Sequence, residues 1–188
     1  MTRMILRLLN TPLLIFIVIL GIGVQSSLFS SSPLSFFQPD ILLPTVIWCA
    51  LRRGFEEGGV ITLLIASLGE IHSATPQGVF LILYMVVFLC VRMASRLFVL
   101  QSLFSFGIAT LFSSLGWKLI NLLLLYLLGI NSKPWQHTLT TIPTQVAVEA
   151  LFSLWIYRNL DRFDRMTFKN QRMEQIMDEA VQLNDEGF

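Results

Sequence analysis

From Leu97 to Ile130 the chain carries a single charged side chain, Lys118, among residues that are otherwise apolar, small or uncharged. A surface helix of a soluble domain needs a polar face, whereas a bilayer takes about 20 such residues per crossing. The rest of the sequence follows suit: of 188 residues, 54% are hydrophobic and 13% charged. Soluble domains carry about a quarter charged residues, and a chain of this size cannot enclose that apolar excess in one core. The same composition excludes intrinsic disorder, a disulfide scaffold and a nucleic-acid-binding domain. Cys49 and Cys90 each stand in an apolar run and point to neither redox nor metal chemistry. The chain reads as an all-α integral membrane protein.

Six spans are expected, at about 4–24, 39–51, 58–71, 77–93, 98–130 and 139–157. The first lacks a small-residue cleavage site and reads as a retained helix. The second and third are short for lone crossings and are expected to sit within the bundle or to tilt. The fifth reads as one long tilted helix. Residues 1–158 form the transmembrane domain and 159–188 a charged cytoplasmic tail.

The basic residues fix the orientation. Arg3, Arg7, Arg52, Arg53, Arg92, Arg96, Arg158, Arg162, Arg165, Lys169 and Arg172 all fall on one side of six crossings. The opposite loops, 25–38, 71–77 and 130–138, hold only Lys133. Lys/Arg bias in short loops marks the cytoplasmic side, so both termini are expected inside. In the tail, Met166, Met173, Ile176, Met177, Ala180 and Leu183 recur at three- and four-residue steps, the pattern of an amphipathic helix. Such a helix either lies on the membrane surface or docks on a cytoplasmic partner.

Ionisable groups inside spans are costly and draw functional suspicion. Asp40, after Pro39, stands where a carboxylate caps the second span. Glu70 ends the third span beside His72 and Ser73. Lys118 and Glu149 lie deeper, on spans joined by a short loop, and are expected to approach each other with Gln145 one turn from Glu149. The pair serves either to fix packing or to line a polar pocket. Phe29, Phe36 and Phe37, among serines, offer an apolar outer-face surface for a partner, or else dip into the membrane interface. No metal-ligand spacing, nucleotide loop or catalytic constellation is evident: His72 and His137 are the only histidines, so no metal, cofactor or enzymatic activity is expected.

The stretch from Pro39 to Gly78, PDILLPTVIWCALRRGFEEGGVITLLIASLGEIHSATPQG, resembles the core of the MreD family, the rod shape-determining membrane proteins of bacteria. The resemblance rests on Pro39-Asp40 opening a span, Arg52 and Arg53 with Gly54, Gly58 and Gly59 at the inner turn, and then Glu70, Ile71, Ser73 and Gly78. Glu70 stands where the family more often has Asp. The glycines at 54, 58, 59 and 69 are expected to let the second and third spans turn tightly and pack backbone to backbone.

The resemblance implies a non-enzymatic scaffold in the bacterial inner membrane, within the cell-elongation complex. It implies binding to a bitopic MreC-type scaffold, linking the cytoplasmic actin-like filament to peptidoglycan synthases: a RodA-type glycosyltransferase and a class B transpeptidase. Members of the family resemble the substrate-binding subunits of energy-coupling-factor transporters in their six-helix architecture. The alternative is therefore a vitamin-binding subunit of that kind, with Trp48, Glu70, His72, Lys118, Gln145 and Glu149 as lining.

Overall fold

The computed structural model describes residues 2–28, 39–71, 78–97, 103–127 and 135–167. They form α1 (Thr2–Leu28), α2 (Leu42–Arg52), α3 (Phe55–Ile71), α4 (Val79–Leu97), α5 (Leu103–Leu127) and α6 (Trp135–Met166), with no strand among the described residues. Two segments, Leu9–Leu28 in α1 and Leu103–Leu123 in α5, are long and apolar enough to cross a membrane. The apolar parts of α2 and α4 are shorter, Leu42–Arg52 and Val79–Ser95.

α2 is the axis of the bundle. Its residues from Leu42 to Ala50 are all buried, and it touches α3, α4, α5 and α6. A helix that is buried all round must be apolar all round, and this one is nearly so. At about 16 Å it is too short to cross a bilayer upright by itself. Its start is set by Asp40, whose Oδ1 accepts the backbone N–H of Leu42 at 2.8 Å and of Leu43 at 3.4 Å. Ile41, between them, already has helical angles, so Asp40 is the effective N-cap. The end is a break at Arg53, which is extended (φ −104°, ψ 156°) and donates its N–H to the carbonyl of Cys49. α3 restarts two residues later, earlier than the expected Gly58, with Glu56 and Glu57 in its first turn, where the helix dipole favours acids.

Successive helices alternate in direction. A Cβ at Gly58 would lie 3.1 Å from the Cys49 carbonyl, and one at Gly69 would lie 2.7 Å from Leu42 Cδ1, so α3 runs against α2. Tyr84 meets Asp40 and Arg92 meets the Ala50 carbonyl, so α4 runs with α2. Ser114 meets Glu149 and Lys118 meets Gln145, so α5 and α6 are antiparallel. α1 leans on the bundle through Asn10, Leu14, Val18 and Ile22, one residue per turn, and leaves most of its other described side chains exposed. The start of α1, the α2–α3 break and the end of α6 thus meet at one end of the molecule.

The close approach at Gly58 accounts for that glycine: a Cβ there would also press on the Phe88 ring at 2.9 Å. The expectation for its neighbours is corrected. A Cβ at Gly59 would meet only Phe88, at 3.9 Å, and one at Gly54 would meet nothing within 4 Å. At Gly69 the neighbours are the side chains of Leu42 and Phe80, not backbone.

α6 runs past the expected end of the sixth span at 157, unbroken to Met166, and Asp161, Asp164 and the following Thr167 are buried against the bundle. The remaining tail residues, 168–188, lie outside the described residues. α5 is described as Leu103–Leu127, inside the expected 98–130.

Candidate functional site

A run of polar side chains lies along one face of α6. Gln145, Glu149, Ser153, Tyr157, Asp161 and Asp164 succeed one another at steps of four and finally three residues, which keeps them on a slowly winding stripe. Glu149, Ser153, Tyr157, Asp161 and Asp164 are all buried.

Midway along α6, Lys118 Nζ lies 2.8 Å from Glu149 Oε1 and 3.3 Å from Gln145 Oε1, and the Ser114 hydroxyl donates to Glu149 Oε2. Ser114 and Lys118 are one turn apart on α5, as Gln145 and Glu149 are on α6, so antiparallel packing brings both pairs into register. Glu149 is only 2% exposed. Removing such a carboxylate from water is costly, and the ammonium and hydroxyl together offset that cost.

Next to this cluster, Asp40 Oδ2 accepts the hydroxyl of Tyr84 at 2.6 Å while Oδ1 caps α2. The Tyr84 ring stacks on Trp117 with centroids 4.4 Å apart, and Phe80 meets Trp117 edge-on at 5.1 Å. One carboxylate therefore ties α2 to α4, and through an aromatic stack to the α5 residue that precedes Lys118. At the same end of the bundle Glu70 accepts the backbone N–H of Gly78. Gly78 has φ +89°, a conformation that favours glycine. The acid and the glycine eight positions later are thus one structural device: they close the loop between α3 and α4.

The opposite end holds a denser cluster. Arg53 Nη2 lies 2.6 Å from Asp164 Oδ1 and 2.7 Å from Asn10 Oδ1, and the guanidinium sits 4.9 Å over the Trp48 ring. Asn10 Nδ2 donates to Asp164 at 3.0 Å and to Thr167 at 2.5 Å. Glu57 approaches Arg53 at 3.7 Å and accepts the Thr11 hydroxyl at 2.7 Å. Beside this, Arg52 donates to the Tyr157 hydroxyl and pairs with Asp161 at 3.7 Å, and Arg165 also bonds Asp161. Arg92 donates to the carbonyl of Ala50, one of the free C-terminal carbonyls of α2, and to that of Arg53 in the break. Arg53 is thereby the centre of a clasp joining α1, α2, α3 and α6.

Of the residues singled out by sequence, Lys118, Glu149 and Gln145 come together. Pro39 and Asp40 open α2, Arg52 and Arg53 join the clasp, and Glu70 meets Gly78. Trp48 packs under Arg53, at the other end of the bundle from Lys118, Gln145 and Glu149, so it stands apart from those three among the residues named as a vitamin-site lining. Ser73, His72, Phe29, Phe36 and Phe37 lie outside the described residues. Sequence reasoning missed Asn10, Ser114, Tyr84, Asp161 and Asp164. An asparagine inside an apolar run and two aspartates three residues apart on one helix face were the available signals. Among the described residues no group of three His, Cys, Asp or Glu side chains is placed to hold a metal ion. Comparisons of the chain with protein-family models, with curated proteins and with solved structures each return no match.

Proposed function

We propose that this chain is a multi-pass scaffold of the bacterial inner membrane, acting in cell elongation without catalysis of its own, as its resemblance to the MreD family implies. In this reading six helices cross the bilayer, and the Arg53 clasp faces the cytoplasm with both termini. The alternation of helix direction and the eleven basic residues on one side support that orientation. So does the exterior: Leu13, Phe16, Leu20 and Val24 on α1, and Phe104, Ile108, Leu111 and Phe112 on α5, are all exposed. Apolar exposure on that scale suits lipid or protein contact and not water.

The observation that carries the scaffold reading is the use made of the residues behind the resemblance. Asp40 caps a helix, Glu70 closes a loop and Arg53 clamps four helices; each carboxylate and guanidinium is engaged by other parts of the chain. Residues of this kind define a rigid shape for partners to read. The MreC-type scaffold, the RodA-type glycosyltransferase and the class B transpeptidase are the partners proposed. The vitamin-binding alternative has less support, since Lys118 and Glu149 neutralise each other and Trp48 lies in another cluster.

Affinity purification in mild detergent from native membranes, with mass spectrometry of copurifying proteins, tests the reading. Recovery of a bitopic protein with a periplasmic coiled coil, or of cell-wall synthases, is expected. Recovery of ATPase subunits with a coupling membrane protein would overturn it in favour of transport.

A further inference from the structure

α6 turns a second face outward, away from its polar stripe. There Val148, Leu151, Phe152 and Trp155 line an open groove of about 470 Å³. Leu151 is 70% and Trp155 62% exposed, and the Phe152 and Trp155 rings stack at 5.3 Å. Followed toward the C-terminus, the same face reaches Arg158 and Arg162, both exposed, about 4.5 and 10 Å beyond Trp155 along the helix axis. At 100° per residue these six positions share a stripe roughly 120° wide.

The two arginines differ from the other basic side chains that the structure describes. Arg52, Arg53, Arg92, Lys118 and Arg165 each hold an acceptor within the chain. The side chains of Arg158 and Arg162 make no ion pair or hydrogen bond with another described residue. The nearby carboxylates, Asp161 and Asp164, are buried on the other side of α6 and already occupied.

Apolar groove, interfacial aromatic, paired guanidinium groups: this is the order of a phospholipid read from acyl chain to phosphate. We propose that this face of α6 is a binding site for an anionic phospholipid of the inner leaflet. An acyl chain lies in the groove, and Arg158 and Arg162 hold the phosphate. The inference rests on the orientation proposed above, which puts the end of α6 at the cytoplasmic surface. A partner's transmembrane helix fits less well, for two reasons. The groove extends over only two turns, about 10 Å, far short of a bilayer-long seam. A partner helix is also basic on its cytoplasmic flank and would repel the two arginines.

The test uses the full-length chain with Trp135→Phe, which leaves Trp155 as the exposed indole beside the buried Trp48 and Trp117. It is placed in vesicles of equal phosphatidylcholine and phosphatidylglycerol, with the acyl chains of one lipid brominated at a time to quench tryptophan on contact. Brominated phosphatidylglycerol is expected to quench more, reflecting a preference of roughly fivefold for each arginine engaged. Arg158→Gln with Arg162→Gln removes the preference, and Arg165→Gln, whose partner is Asp161, leaves it intact. Equal quenching by both lipids, or equal loss in Arg165→Gln, overturns the site. Should the double variant fail to insert, the two-lipid comparison on the unsubstituted arginines decides alone. Quenching by neither lipid would mean that the chain is not embedded, which overturns the membrane reading itself and the site with it.

Discussion

Arg53 and Asp164 stand 111 positions apart in the sequence, yet their side chains meet at 2.6 Å where both are almost wholly buried. That contact fastens the end of α6 to the break between α2 and α3, and Asn10 of α1 bonds to both partners. Charge buried so deeply is neutral to stability while paired and expensive once unpaired.

Arg53→Ala and Asp164→Ala are each expected to destabilise the protein by about 3–5 kcal/mol. Losing both charges together, as in Arg53→Ala with Asp164→Ala, costs less than the sum of the two. Thermal unfolding of the purified protein, read as a double-mutant cycle, checks this; additive losses would show that the two side chains do not depend on each other.

The deeper pair makes a parallel prediction. Lys118→Ala leaves Glu149 buried beside Ser114 without its cation, and Glu149→Ala leaves the ammonium facing Gln145 alone. Either change is expected to cut the yield of folded protein, by analogy with a loss of about 3–5 kcal/mol. Exchanging the two, Lys118→Glu with Glu149→Lys, recovers a substantial part. Monodisperse yield on size exclusion in detergent measures it.

What could be read from the sequence follows from how local each relationship is. Lys118 and Glu149 were legible because they are rare charges in apolar runs on consecutive helices, where a short connection dictates antiparallel contact. Asp40 was legible as a cap because the signal is confined to its own turn. The clasp was not. Asp161 and Asp164 look like ordinary solvated charges until Arg53, from a distant helix break, is brought against them. That burial accompanies the run of α6 past the expected end of the sixth span. The central position of α2 was visible only as its shortness, and adjacent Gly58 and Gly59 look alike in sequence though only the first is closely packed.

Those two glycines separate cleanly by substitution. Gly58→Ala forces a methyl to within 3.1 Å of the Cys49 carbonyl and 2.9 Å of the Phe88 ring, and is expected to cost about 1–3 kcal/mol. Gly59→Ala meets ordinary van der Waals distances, and helix propensity favours it by up to about 1 kcal/mol. Unfolding midpoints of the two variants should move in opposite directions.

The loop between α3 and α4 depends on an acceptor more than on a charge. Glu70→Gln keeps an oxygen for the Gly78 N–H and is expected to be mild, whereas Glu70→Ala leaves that donor unmet. Gly78→Ala must adopt φ near +89°, at about 1–2 kcal/mol. Limited proteolysis between residues 72 and 77 should quicken in Glu70→Ala and Gly78→Ala, and change little in Glu70→Gln.

The most direct measurement is the sidedness of the bundle in intact cells. Single cysteines are placed by Ser31→Cys, Ala74→Cys, Ser132→Cys or Gln171→Cys in a background of Cys49→Ser and Cys90→Ser, and labelled with a membrane-impermeant maleimide. Six crossings with the Arg53 clasp inside predict labelling at 31, 74 and 132 from outside, and at 171 only after permeabilisation. Labelling of position 171 in intact cells, or protection of any of the other three, would contradict that topology.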